Sequence, residues 1–77
     1  MAKKTLVLEL DREADAGYIM LQPIGPGRAT TQIMVDDRRL KGYVVLDLDK
    51  KGRLLGIELI GYASMLSGGR SGADADD

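Results

Sequence analysis

The sequence predicts a mainly β (α+β) fold: a single antiparallel β-sheet of about five strands, meander-like, with a short C-terminal helix and a disordered tail. Three observations predict it. Short segments alternate apolar and polar residues with a period of two. Clusters of Gly, Pro, Asp and Lys stand between them. No segment keeps a helical period over three turns. Residues 1–66 form one small antiparallel β domain, and residues 67–77 form the disordered acidic tail.

The first strand is expected at residues 5–10, TLVLEL, with Leu6, Leu8 and Leu10 on one face and Val7 and Glu9 on the other. Residues 11–15, DREAD, suit a tight connection whose aspartates accept nearby backbone N–H groups. A second strand runs over about residues 16–22, with Ile19 and Leu21 opposite Tyr18 and Met20. Residues 22–27, QPIGPG, hold two prolines and two glycines and cannot continue a ladder. The third strand, residues 28–35, sets Ile33 and Val35 against Arg28, Thr30 and Gln32. Its polar face meets water, as on an edge strand. A charged loop, residues 36–42, leads to strand four at 43–48 and strand five at 53–60. Residues 61–67 give one or two helical turns, stopped by Gly68 and Gly69. One or two turns cannot cover five strands, whereas a second copy of the sheet could.

Composition excludes several functions. The 77 residues include no Cys and no His, which removes disulfides, thiolate chemistry, the commonest general base and the commonest transition-metal ligand. Below roughly 70–80 residues a single core rarely supplies more than about 3–5 kcal/mol. Stabilisation is therefore expected from self-association or a partner. Net charge is −1; without residues 67–77, which hold Arg70, Asp74, Asp76 and Asp77, ten basic residues face nine acidic ones. That balance is not the electrostatic footprint of a nucleic-acid binder. No apolar run has the length of a membrane span and no signal peptide is visible, so a cytoplasmic location is expected.

Residues 47–58, DLDKKGRLLGIE, have the spacing of a calcium loop: Asp47, Asp49, Gly52, Leu54 and Glu58 at positions 1, 3, 6, 8 and 12. Lys51 occupies position 5, where an oxygen ligand belongs, and the flanks are β-like rather than helical. A hairpin uses every feature: Asp49 opens a type I turn, Lys50 and Lys51 fill it, and Gly52 takes the left-handed position of a G1 bulge. The hairpin is the reading adopted, and Asp47, Asp49 and Glu58 remain as a weak cation site.

DREADAGYIML followed by VVLDLDKKGRLLGIELI resembles the small bacterial and phage family called domain of unknown function 2283. The positions that carry the resemblance are Asp11, Ala14, Asp15, Ala16, Tyr18 and Ile19, then Asp47, Asp49, Gly52, Leu54, Gly56, Ile57 and Glu58. It covers most of residues 5–62. Gly17, where the family usually has a larger residue, and the insert at 23–27 depart from the pattern and bear on local strand geometry. Some members sit beside small toxin-like genes, so the resemblance implies an antitoxin-like role.

Other groups have plainer readings. Asp11, Glu13 and Asp15 read as turn caps rather than an acid–base or magnesium cluster. Ile24–Ala29 as a phosphate cradle lacks the P-loop pattern and a following helix, and reads as a β-turn loop. Arg38, Arg39 and Lys41 lie at the opposite end of strand four from Lys50, Lys51 and Arg53, and no aromatics interleave with them, so nucleic-acid binding is disfavoured. Tyr18, Met20, Met34 and Tyr43 share a face, as core if buried and as an interaction surface if exposed. The expected function is a non-enzymatic protein-interaction module without a cofactor. It is expected to form a homodimer and to bind a further, unidentified protein. A nucleic-acid-associated or antitoxin-like regulator comes second, and a metal-dependent carboxylate enzyme or calcium sensor last.

Overall fold

In the computed structural model, residues 1–68 are described; the expected tail beyond Gly68 lies outside the described residues. The chain forms β1 (Leu8–Asp11), β2 (Ala16–Met20), β3 (Thr31–Val35), β4 (Tyr43–Leu48), β5 (Leu54–Ile60) and α1 (Tyr62–Ser67). All pairings are antiparallel, and the sheet order is β1-β2-β5-β4-β3.

Three of the four consecutive strand pairs are neighbours. The exception is β2, which lies against β5 rather than β3. The intervening residues 21–30 carry Pro23 and Pro26 and cannot form a tight hairpin. They cross the ends of β5 and β4 instead and deliver β3 to the far edge. The loop is pinned as it passes: Gln22 Nε2 donates to Leu54 O at 2.7 Å, and Thr30 N–H to Leu48 O at 3.0 Å. The most apolar strands, β4 and β5, take the centre, and the polar-faced β3 takes an edge, as its pattern predicts.

β1 is shorter than its alternation suggests and begins at Leu8. Leu21 N–H bonds Leu55 O at 2.9 Å, so a continued β2 would turn the next amide toward β1. Gln22 N–H turns instead to the same Leu55 oxygen, at 3.4 Å, and the ladder ends before residues 5–7. Arg28 likewise sits in a turn and not in β3. Arg28 N–H bonds Gly25 O at 3.1 Å, with Pro26 and left-handed Gly27 (φ 73°) between them, as in a type II turn.

The register sorts side chains by face. Leu8, Leu10, Ile19, Ile57, Leu59, Val44, Leu46, Leu48, Ile33 and Val35 share one face, which carries no charge. The other face is mixed, with Tyr18, Met20, Glu58, Val45, Asp47, Gln32 and Met34. α1 covers only one corner of the apolar face, and none of its residues is buried. There Leu8, Leu10 and Tyr62 fill the space beside Gly17, where a Cβ would lie 3.1–3.3 Å from them. Gly17 therefore leaves β2 regular and accommodates the helix. Val45 and Leu55 are the only buried hydrophobic residues among the described ones.

Candidate functional site

The candidate site is the mixed face, where β2, β5, β4 and β3 place four polar side chains side by side. Tyr18 extends from β2 across β5 and donates from its hydroxyl to Asp47 Oδ2 on β4 at 2.9 Å. Gln32, directly opposite Asp47 on β3, donates to Oδ1 at 3.0 Å. Asp47 is only 9% exposed, so both oxygens of a buried carboxylate have donors. The strand between Tyr18 and Asp47 must leave room for the ring, and it does so with Gly56. A Cβ there would fall on the Tyr18 hydroxyl and ring carbons. Burial, the bond to Asp47 and the charges of Asp47 and Glu58 push the Tyr18 phenol up to about 12.

Next to this row, the β4–β5 turn is built on Asp49, which is 5% exposed. Asp49 Oδ1 accepts the N–H groups of Lys51 and Arg53, each at 2.9 Å. Gly52 N–H returns to Asp49 O at 3.0 Å, with Gly52 at φ 79°. This is the type I turn and G1 bulge read from the sequence. Asp49 Oδ2 receives Arg53 Nε at 2.7 Å and Arg28 Nη2 at 3.4 Å. The Arg53 N–H, the Arg53 side chain, the Lys51 N–H and Arg28 together hold the Asp49 carboxyl well below the usual range.

The three carboxylates with calcium-loop spacing do not converge. Asp49 is consumed by the turn, Asp47 by Tyr18 and Gln32, and Glu58 stands opposite Val45 with no side-chain hydrogen bond among the described residues. No group of three or more potential metal ligands occurs among the described residues. Met20, Met34 and Tyr43 share the mixed face with Tyr18 and are exposed on it. Asp11 caps its own turn, Oδ1 accepting Ala14 N–H at 3.2 Å. Asp15, at φ 51°, reaches farther: its carbonyl accepts the Gly61 and Tyr62 amides and its Oδ1 the Ala63 amide at 3.0 Å. It caps α1 from another hairpin. Arg39 is paired locally with Asp37 at 2.9 Å, at the end opposite Lys50 and Lys51.

Those contacts involve many of the positions in the two-part pattern read from the sequence, among them Asp11, Asp15, Tyr18, Asp47, Asp49, Gly52 and Gly56. A family model described as "Protein of unknown function (DUF2283)" matches residues 8–62. The chain belongs to this family. No curated protein and no solved structure gives a significant match.

Within the DUF2283 pattern, Tyr18, Gly56 and Asp47 form one interlocking unit across three strands. Asp49 and Gly52 form the hairpin tip, Asp15 ties the first hairpin to α1, and Ala16 faces Ile60. Sequence reasoning missed Gln32 and Arg28 as partners of Asp47 and Asp49. Their signal was present in the polar alternation of residues 28, 30 and 32, read there as contact with water.

Proposed function

We propose that this protein is a non-enzymatic interaction module whose sheet associates with a second copy through its uncharged face. One observation carries the reading: a sheet face without charge, apolar apart from Thr31, lies partly open to solvent, with Ile33 47% and Leu10 45% exposed. A one-layer sheet needs a second layer to bury such a face. Five strands about 4.8 Å apart, each about five residues long at about 3.4 Å, outline roughly 400 Å² per copy. Two copies, with side-chain relief counted, approach the roughly 1,000 Å² of a specific interface. A face without charge can meet itself across a two-fold axis without like-charge repulsion. The product is a two-sheet sandwich of the ordinary face-to-face kind. The mixed faces then point outward, and the exposed Met20, Met34 and Tyr43 are where a further protein would bind.

Sedimentation velocity on the full chain tests this. We expect a concentration-dependent dimer. Ile33→Lys, at a position the lone protomer already exposes, should shift it to monomer without unfolding it. A wild-type protein that stays monomeric into the millimolar range and binds no hydrophobic dye would refute the proposal.

A further inference from the structure

The loop at residues 21–30 and the β4–β5 turn meet at one end of the sheet and enclose a cleft of about 350 Å³. Arg28, Lys50, Lys51 and Arg53 line it together with Gly27, Thr30 and Asp49. Four cations face one carboxylate, a formal +3. The two lysines have no hydrogen-bonded side-chain partner among the described residues. We propose that this cleft binds a compact diphosphate group, either free or as part of a nucleotide.

The cleft is pre-ordered for an anion. Asp49 spends Oδ1 on two turn amides and uses Oδ2 to orient both guanidinium groups. Arg28 is held a second time by Nη1 donating to Pro23 O at 2.8 Å. The Arg53 guanidinium engages Asp49 only through Nε, so both of its Nη groups stay available as a fork. The usual entropic cost of ordering two long cationic side chains is thus met before a ligand arrives. Charge sets the ligand class. One phosphate monoester brings about −1.5 to −2 and leaves the cleft positive, whereas two linked phosphates match it. No aromatic side chain lines the cleft, so recognition rests on the phosphates and not on a stacked base. The P-loop route fails here, because no helix follows the Gly-Pro loop. Side-chain forks take the place of backbone amides.

Isothermal titration of the full chain with inorganic pyrophosphate tests the site. Saturable binding at one site per chain is expected, with inorganic phosphate weaker and a nucleoside diphosphate comparable to pyrophosphate. Lys50→Ala/Lys51→Ala should weaken pyrophosphate at least about tenfold with an unchanged melting temperature. Arg38→Ala/Arg39→Ala, at the opposite end, should leave binding intact. The proposal fails if pyrophosphate gives no saturable heat or if the lysine pair proves irrelevant. It fails equally if sulfate competes as well as pyrophosphate, or if only single-stranded oligonucleotides bind.

Discussion

Gly56→Ala probes the centre of the mixed face. The new Cβ would fall on the Tyr18 hydroxyl and ring, and 2.9 Å from Cε2, so the ring must lift from β5. Overpacking of this kind costs about 1–3 kcal/mol. Lifting the ring also breaks the 2.9 Å bond to Asp47 and leaves one oxygen of a buried carboxylate without its donor. A hydrogen bond to a charged group is worth about 1.5–3 kcal/mol. Replacing a strand glycine by alanine returns roughly 0.5–1 kcal/mol. The net expectation is a loss of about 2–4 kcal/mol, most of the stability of a domain this small. Urea unfolding at fixed protein concentration, with an excluded osmolyte to keep the variant folded, measures it. A second background decides the cause. With Tyr18→Ala already present, Gly56→Ala has nothing to displace and should cost almost nothing. The cycle should therefore show a coupling of about 2–4 kcal/mol. Equal costs in both backgrounds, or a loss under about 0.5 kcal/mol in the wild type, would show that Gly56 is not there to admit the ring.

Two further outcomes rest on the same polar contacts. The folded Tyr18 phenol, pushed up to about 12, lies above its ordinary value, so its contribution to stability is full below pH 10. That contribution is lost as pH rises from 10 to about 12; ultraviolet titration should show one of the three tyrosines ionising late, and Asp47→Asn should bring it earlier. At Asp15, whose φ is 51°, Asp15→Ala loses the Ala63 cap, at about 0.5–2 kcal/mol, and adds left-handed strain of about 1–2 kcal/mol. Asp15→Gly keeps only the first cost, so thermal melts should rank wild type above glycine and glycine above alanine.

The strands were legible because alternation has one meaning on a sheet with an apolar face. Val44, Leu46 and Leu48 mark it in β4 as plainly as Ile33 and Val35 do in β3. The Asp49 turn was legible because Asp-Lys-Lys-Gly carries its own backbone chemistry. The Tyr18–Asp47 contact spans 29 residues, and the Gln32–Asp47 contact 15. Neither has a local signature. Both need the adjacency of β2 with β5 and the register of β3 on β4, which pairing across the whole chain decides. The place of Arg28 needed the path of residues 21–30, and its Gly-Pro composition marks a break without saying where the break leads.

The two faces of the sheet divide the work. On the mixed face, Asp47 ties Tyr18 to Gln32 across three strand boundaries, and only one register satisfies all three groups. A one-residue slip of β2 would aim Tyr18 at the opposite face and leave Asp47 short of a donor. That network specifies the sheet without help from a deep core, and only Val45 and Leu55 supply buried apolar bulk among the described residues. The family positions Asp11, Asp15, Tyr18, Asp47, Asp49, Gly52 and Gly56 all serve turns, caps or this network. Glu58 does not: its side chain makes no hydrogen bond among the described residues, and its charge helps to raise the Tyr18 phenol.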